Sequence, residues 1–305
     1  MVSRRTVLQG AGGSAIALTI ARFSGFSALA QDATPEAGLY PAVAYGAKEY
    51  AFDGPTTFNN GLTQVTLTNN GKMTHHGMFM LLNEGKTIAD LGAAAAKNGI
   101  GGLLSVSVSV GGPASIDPGL TTSVVINFKA GNYVLVCVIP DADGVPHLAK
   151  GMALPITVTA GPNPKVAPPT ADVSVELADF KFINLPATVK AGKQTWAVKN
   201  DGEQLHELGI VSIAEGFTFE QFIGIISAPP ATPMPGMDAT PAAAEASGPP
   251  PFLSMAGFAP MSAGYSGWTM IDFKAGNYGA VCFVPDPKTG KPHFALGMAM
   301  AFTVS

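Results

Sequence analysis

The stretch "AVCFVPDPKTGKPHFALGM" (residues 280–298) combines a thiol, an imidazole and a thioether within a short distance along the chain. An earlier stretch, "VVINFKAGNYVLVCVIPDADGVPHLAKGM" (residues 124–152), contains the same three residue types in the same order. Cysteine and histidine are rare in this chain, with two and five residues among 305, so their recurrence in one order indicates a duplicated unit. The matching residues are Cys282, His293 and Met298 in the later stretch and Cys137, His147 and Met152 in the earlier one.

The duplication extends well beyond these two stretches. The hexapeptide "FKAGNY" occurs at residues 128–133 and again at 273–278. The segments upstream also align, and they place His75 of the first copy on His206 of the second. An internal repeat of this length predicts two domains with one fold.

The pattern within each copy is typical of β-structure. Short alternating runs such as "LTQVTLTN" and "QTWAVKN" are broken by Gly, Asn, Asp and Pro. The chain has 36 Gly and 25 Pro but only 12% charged residues, which favours strands joined by turns over long solvated helices. We predict an all-β protein of two tandem Greek-key β-sandwich domains. One short helix is predicted in each copy, at "TIADLGAAAAK" and at "TFEQFIGII".

Composition sets the expected domain boundaries. The Pro-rich segment "PNPKVAPPTAD" (162–172) is typical of a linker. Met234 and Met237 lie in a Pro/Ala-rich insertion, either as copper-handling side chains or as incidental residues of a surface loop. The predicted organisation is an export signal at 1–30, a first domain at 31–163, a linker at 164–172 and a second domain at 173–305, with the insertion at about 227–251.

The N-terminal segment "SRRTVLQGAGGSAIALTIARFSGFSALAQ" (3–31) resembles a twin-arginine export signal. It begins with Arg4 and Arg5, and cleavage is expected after Ala30. Later stretches fall short of the ~20 apolar residues of a membrane span, so we expect no span in the mature chain. The expected location is the periplasm, the cell surface or the medium. A net charge of −4 without a basic block argues against nucleic acid as a partner.

Each copy combines a histidine on an early strand with a cysteine, a histidine and a methionine around a late loop. Two imidazoles, a thiolate and a weak thioether are the ligands of a blue-copper site, since soft sulfur suits Cu(I) and imidazole suits Cu(II). A buried cysteine or methionine is individually common in protein cores, so the prediction depends on the joint pattern. The predicted ligands are His75, Cys137, His147 and Met152 in the first copy and His206, Cys282, His293 and Met298 in the second.

The neighbouring histidine, His76, is predicted to lie outside the site. Adjacent residues of a strand point to opposite faces, so His75 and His76 cannot both enter one site. The residue aligned with His76 in the second copy is Glu207, which favours His75 as the ligand.

These residues resemble the cupredoxin family, twice over nearly all of the expected mature chain. In that family one loop carries a cysteine, then a histidine, then a methionine; here nine or ten residues separate the first two and four separate the last two. The resemblance implies up to one type 1 copper per domain, electron transfer between Cu(II) and Cu(I), and redox proteins as partners. It also implies that His147 and His293 serve as electron ports on exposed loops.

The positions of the histidines help to distinguish an electron carrier from a copper enzyme. Within the family, two-domain copper oxidases and nitrite reductases hold a further copper with histidine pairs, one of them beside the type 1 cysteine. Val136 and Val281 occupy that position here, and the sequence has no His-x-His. The sequence therefore predicts an electron carrier that is not an enzyme. Copper storage or delivery and a metal-free binding module stay open as alternatives, and a two-domain copper oxidase or nitrite reductase is a less favoured one.

Overall fold

The computed structural model describes residues 39–162, 166–228 and 250–305, and in these the chain forms 18 strands and two α-helices. The first copy contains β1 Ala42–Lys48, β2 Ala51–Asp53, β3 Thr57–Asn59, β4 Gly61–Asn69, β5 Met78–Leu82, β6 Ser107–Ser109, β7 Thr121–Phe128, β8 Gly131–Val136 and β9 Ala153–Thr159. The second contains β10 Val173–Ala178, β11 Lys181–Ile183, β12 Thr188–Val189, β13 Gly192–Asn200, β14 His206–Ile213, β15 Phe252–Met261, β16 Ser266–Phe273, β17 Gly276–Val281 and β18 Ala299–Val304. The helices are α1 Ile88–Val106 and α2 Phe219–Ser227.

Three sheets form two sandwiches. One sheet of eight strands has the order β11-β10-β13-β16-β7-β4-β1-β2, so each copy contributes four adjacent strands. Each copy adds a five-stranded sheet of its own, β3-β9-β8-β5-β6 in the first and β12-β18-β17-β14-β15 in the second. The two sheets of each copy enclose buried apolar side chains between them. The predicted all-β architecture of β-sandwiches is confirmed.

Strands β7 and β16 join the two copies. They pair antiparallel, with Val125 opposite Trp268 and Ile126 opposite Gly267. The buried apolar residues of both copies consequently form one continuous cluster. The repeat does not predict this pairing, because a contact between copies leaves no pattern within either copy. The boundaries at 163–173 stay predictions.

Both predicted helices form, and each begins behind a capping box. Helix α1 is longer than predicted because it continues beyond a kink at Asn98 and Gly99. Gly99 has a φ of 52°, a conformation that residues with a side chain rarely adopt. Leu91 before the kink and Leu103 after it are both buried in one apolar cluster with β5 and β8, which explains the extension. The capping pairs are Thr87 with Asp90 and Thr218 with Gln221.

Some predicted segments lie outside the described residues. These are the export signal at 1–30, residues 163–165 of the linker region and residues 229–249 of the insertion, which include Met234 and Met237. In the part of the chain that is described, no helix is both long enough and apolar enough to cross a membrane.

Candidate metal centres

One group of candidate donor side chains lies in each copy. Site 1 consists of His75, Cys137 and His147, and site 2 consists of His206, Cys282 and His293. Within each site the donor atoms lie within 4.8 Å of one another, and all six side chains are buried. The structure thus brings together six of the eight residues that the sequence proposes as ligands.

The two imidazoles of each site face each other through their Nδ1 atoms. These atoms are 3.2 Å apart in site 1 and 3.0 Å apart in site 2. The Sγ of Cys137 lies 3.5 Å from Nδ1 of His147, and the Sγ of Cys282 lies 3.4 Å from Nδ1 of His293. Nitrogen and sulfur donors bound about 2.0–2.3 Å from one ion have separations of this size. The arrangement is therefore suitable for a metal ion.

Backbone hydrogen bonds hold the cysteine and the loop histidine together. The N–H of His147 donates to the C=O of Ile139 over 2.9 Å, and the N–H of Leu148 donates to the C=O of Cys137 over 2.8 Å. The second copy repeats both bonds at the equivalent residues. The donor positions are thus fixed by the main chain before any metal binds.

The Gly-Met pair that ends each loop has a structural reason. Gly151 and Gly297 have φ values of 105° and 116°, in the left-handed region that favours glycine. This turn directs the N–H of Met152 back to the C=O of His147, over 3.0 Å. Met152 and Met298 are fully buried in the apolar cluster that contains both cysteines. Their role as axial ligands stays a prediction.

The difference in loop length between the copies lies away from the donor atoms. A β-bridge pairs Pro140 with Pro146, and another pairs Pro285 with Pro292. The additional residue of the second copy falls within 286–291, beyond its bridge. A long Cys–His spacing is therefore compatible with close contact between the two side chains.

Burial decides the protonation of the donors in the metal-free protein. Desolvation lowers the pKa of all four histidines, that of His293 to about 4, so the imidazoles are neutral at pH 7. Desolvation raises the pKa of Cys137 to about 12. It also raises the pKa of Cys282, with a smaller contribution from the charge of Glu207. Each site thus offers two neutral imidazoles and a thiol that must lose its proton when a metal binds.

The hydrogen bonds of the two imidazoles in site 2 show which ring nitrogens are available to bind a cation. The Nε2 of His206 lies 2.8 Å from a carboxylate oxygen of Asp179, and the Nε2 of His293 lies 3.0 Å from Oε1 of Gln204. Both oxygens are acceptors, so each Nε2 carries the proton and each Nδ1 presents a lone pair. Two lone pairs 3.0 Å apart repel each other unless a cation lies between them. This donor set of two imidazoles and a thiol fits copper.

His76 lies outside site 1 and has a role that the sequence did not predict. Its Nε2 accepts a hydrogen bond of 2.9 Å from the N–H of Val138, the residue after Cys137. In the second copy the carboxylate of Glu207 accepts an equivalent bond of 2.7 Å from the N–H of Phe283. Each thus stabilises the chain beside the cysteine. The alignment of His76 with Glu207 could have indicated this role, because both side chains can accept a hydrogen bond.

The prediction that His147 and His293 lie on exposed loops is wrong. Their exposed fractions are 1% and 0%. The ring of Tyr50 packs edge-on against His147 at 5.3 Å, and that of Phe180 packs against His293 at 5.1 Å. These aromatic residues come from the first hairpin of each copy, far upstream of the loops, so no local pattern indicated the contact.

Comparisons with known proteins give structural similarity only. No protein-family model and no curated protein sequence matches the chain. Reduced auracyanin from Roseiflexus castenholzii aligns with 40% of this chain and 99% of its own, at 18% identity and a TM-score of 0.28. A blue copper oxidase from Nitrosomonas europaea covers 87% of this chain and 85% of its own, at 15% identity and a TM-score of 0.24. A copper nitrite reductase from Thermus scotoductus covers 87% of this chain and 61% of its own, at 13% identity and a TM-score of 0.23.

Because these TM-scores are low, the fold is identified from the position of each donor residue relative to the strands. In both copies the first histidine lies at the start of a strand in the five-stranded sheet, His75 just before β5 and His206 in β14. The cysteine follows β8 or β17, and the second histidine and the methionine lie in the loop before the final strand. Each half has the cupredoxin fold.

The prediction that the chain is not an enzyme is wrong as a firm assignment. The similar structures that cover 87% of the chain include two copper oxidases and a copper nitrite reductase, and auracyanin covers 40% of it. The lack of a His-x-His motif and of a histidine directly before either cysteine does not exclude either class of enzyme.

Proposed function

We propose that this chain is a copper protein with one type 1 site in each cupredoxin half, and that it carries electrons. The observation that carries the proposal is the pair of buried His/Cys/His groups, each fixed by backbone hydrogen bonds. Copper in such a site supplies a one-electron couple between Cu(II) and Cu(I). The surrounding residues exclude water from the donors and hold them in one arrangement, which suits a change of oxidation state with little movement.

The donors have separate roles in the proposal. The imidazoles supply the Nδ1 lone pairs, the cysteines supply thiolate sulfur after losing their protons, and the methionines supply a weak axial thioether. The proposed ligands are His75, Cys137, His147 and Met152 for site 1 and His206, Cys282, His293 and Met298 for site 2.

We also propose export of the chain and redox proteins as its partners. The twin-arginine-like segment at 3–31 supports export, which cell fractionation would check. The burial of both loop histidines implies that a partner contacts their covering aromatic residues, Tyr50 and Phe180, rather than the imidazoles themselves.

Addition of Cu(II) to the purified apoprotein is expected to produce an intense visible band. Charge transfer from a thiolate to copper causes such a band, and each copy contains one thiol beside two imidazoles. Absorption and metal analysis should both saturate at about two coppers per chain, one for each donor group.

The other outcomes of this titration separate the alternatives. Tightly bound copper without a visible band would favour storage or delivery, and a chain that binds no copper would contradict the proposal. Assays for oxygen and nitrite reduction by the loaded protein would show whether it also acts as an enzyme.

Replacement of Met298 by Leu is expected to keep copper bound in site 2 and to raise the midpoint potential of that site. Leucine preserves apolar volume at this fully buried position, so the packing should be retained. Loss of a weak donor disfavours Cu(II) more than Cu(I). Redox titration of the visible band measures the change, with Met152→Leu as the equivalent variant of site 1. An unchanged potential would exclude Met298 as a ligand.

A further inference from the structure

In site 2 the Nε2 atom of each histidine, which is the ring nitrogen that faces away from the other imidazole, forms a hydrogen bond. The Nε2 of His206 donates to Asp179 over 2.8 Å, and the Nε2 of His293 donates to Oε1 of Gln204 over 3.0 Å. The amide nitrogen of Gln204 in turn donates to Asp286 over 3.0 Å. This second bond fixes the orientation of the amide, so Gln204 presents its oxygen to the imidazole.

Site 1 lacks both of these contacts. The carboxylate of Glu49 lies 3.6 Å from Nε2 of His75, beyond hydrogen-bonding distance. The Nε2 of His147 is buried and has no hydrogen-bond partner. Met73 occupies the position equivalent to Gln204, and its thioether is only a weak hydrogen-bond acceptor.

The asymmetry arises from substitutions between the two copies. In the first copy the carboxylate of Asp141, which is equivalent to Asp286, accepts hydrogen bonds from the hydroxyl of Tyr50 and the ammonium group of Lys150. The second copy has no such groups at the equivalent positions; one oxygen of Asp286 accepts from Thr289, and the other accepts from Gln204. At four equivalent positions the first copy has Glu49, Tyr50, Met73 and Lys150 where the second copy has Asp179, Phe180, Gln204 and Leu296.

An imidazole whose outer N–H is bonded to a carboxylate or amide is fixed in tautomer and orientation and is a stronger donor. Loss of such a partner typically lowers metal affinity by roughly 10–100-fold. We propose that Asp179 and Gln204 are positioning residues that make site 2 load copper before site 1, an inference that rests on the proposed function. Stronger donation also stabilises Cu(II), so site 2 has the lower midpoint potential of the two.

The loading order is tested with full-length chains that each keep one site. Cys137→Ser leaves site 2, and Cys282→Ser leaves site 1. Competition with a copper chelator should give site 2 a roughly 10–100-fold higher affinity. Equal affinities, or a tighter site 1, would overturn the proposal.

The role of Gln204 is tested by Gln204→Met in the chain that keeps site 2. Methionine is the natural residue at the equivalent position of the first copy, so the fold is expected to tolerate it. The affinity of site 2 should fall about tenfold or more, and its potential should rise. The matched control is Met73→Leu in the chain that keeps site 1, which should change neither quantity. An unchanged site 2, or an equal loss in the control, would refute the role of Gln204.

A measurement without copper separates this inference from the proposed function. Nitrogen NMR of labelled histidines in the metal-free chain should show His293 as the Nε2–H tautomer, and Gln204→Met should disturb that preference. An unaffected tautomer would contradict the positioning role even if copper binds. If no chain binds copper but the tautomer responds, then the proposed function and the loading order fail and the anchoring of His293 stands.

Discussion

Replacement of Cys282 by Ser is expected to abolish the visible band of site 2 and to leave that of site 1 intact. The thiolate is the origin of the band, and a hydroxyl cannot replace it as a soft donor. Cys282 is fully buried with its Sγ 3.4 Å from His293, and all donors of its site belong to the second copy. The copper content should fall from about two to about one per chain. Absorption, electron paramagnetic resonance and metal analysis measure the change.

The equivalent variant, Cys137→Ser, should have the mirror effect. The comparison is informative because β7 and β16 join the two copies into one sheet and one apolar cluster. Near-ultraviolet circular dichroism of the metal-free variants checks that this shared core is retained. Loss of both bands from a folded Cys282→Ser chain would show that the copies do not hold independent sites.

The residues that follow the first histidines, His76 and Glu207, are expected to make contributions of opposite pH dependence to the stability of the metal-free protein. Burial raises the pKa of Glu207 from 4.5 to about 7. Between these values the folded chain keeps a proton that the unfolded chain loses, so the stability that Glu207 contributes is lost as the pH rises, while the lowered pKa values of His206 and His293 act in the opposite direction. At about 1.4 kcal/mol per pKa unit, the loss is about 3 kcal/mol. Glu207→Gln keeps an acceptor for the N–H of Phe283 and removes the charge, so it should abolish the loss.

His76 is expected to make the reverse contribution in the first copy, in the same direction as the lowered pKa values of His75 and His147. Burial lowers the pKa of His76 from 6.5 to about 3. The unfolded chain takes up a proton that the folded chain excludes, so the first copy loses up to about 5 kcal/mol as the pH falls through this range. His76→Gln keeps an acceptor near Val138 and should reduce the loss.

Two measurements distinguish the pH-dependent stability of one copy from that of the other. Both tryptophans, Trp196 and Trp268, lie in the second copy, so urea unfolding followed by tryptophan fluorescence reports on the unfolding of that copy. Hydrogen–deuterium exchange of peptides from each copy, at pH 4.5 and pH 7.5, reports on both. If the stability of Glu207→Gln relative to the parent chain does not rise between pH 4.5 and pH 7.5, this explanation is wrong.

Much of each candidate site could be predicted from the sequence because its donors follow local rules. The order of cysteine, histidine and methionine is set by a single loop, whose backbone bonds connect residues close together in the chain. The choice of His75 over His76 follows from the alternation of side chains along a strand. In the structure the ring of His76 accepts a hydrogen bond from Val138 and lies outside the donor group. The duplication then allowed each copy to support the interpretation of the other.

The exposure of the loop histidines could not be predicted in the same way. A loop rich in turn residues suggests a position at the surface, but the burial of His147 and His293 depends on rings from distant hairpins. The interaction between Gln204 and His293 has the same character, since it joins residues 89 positions apart. Sequence spacing carries no information about such pairs, because it constrains geometry only over a few residues.

The sequence by itself therefore determined the two-copy β-sandwich fold and the composition of both donor groups, since periodicity, turn residues and an internal repeat specify local geometry. Only the tertiary structure decided which distant residues meet and what the substitutions between the copies do. The pairing of β7 with β16, the covering of the loop histidines and the anchoring of the imidazoles in site 2 all depend on contacts between distant residues. The copies have similar sequences around the donors, and the different partners that folding brings to Asp141 and Asp286 make the two sites unequal.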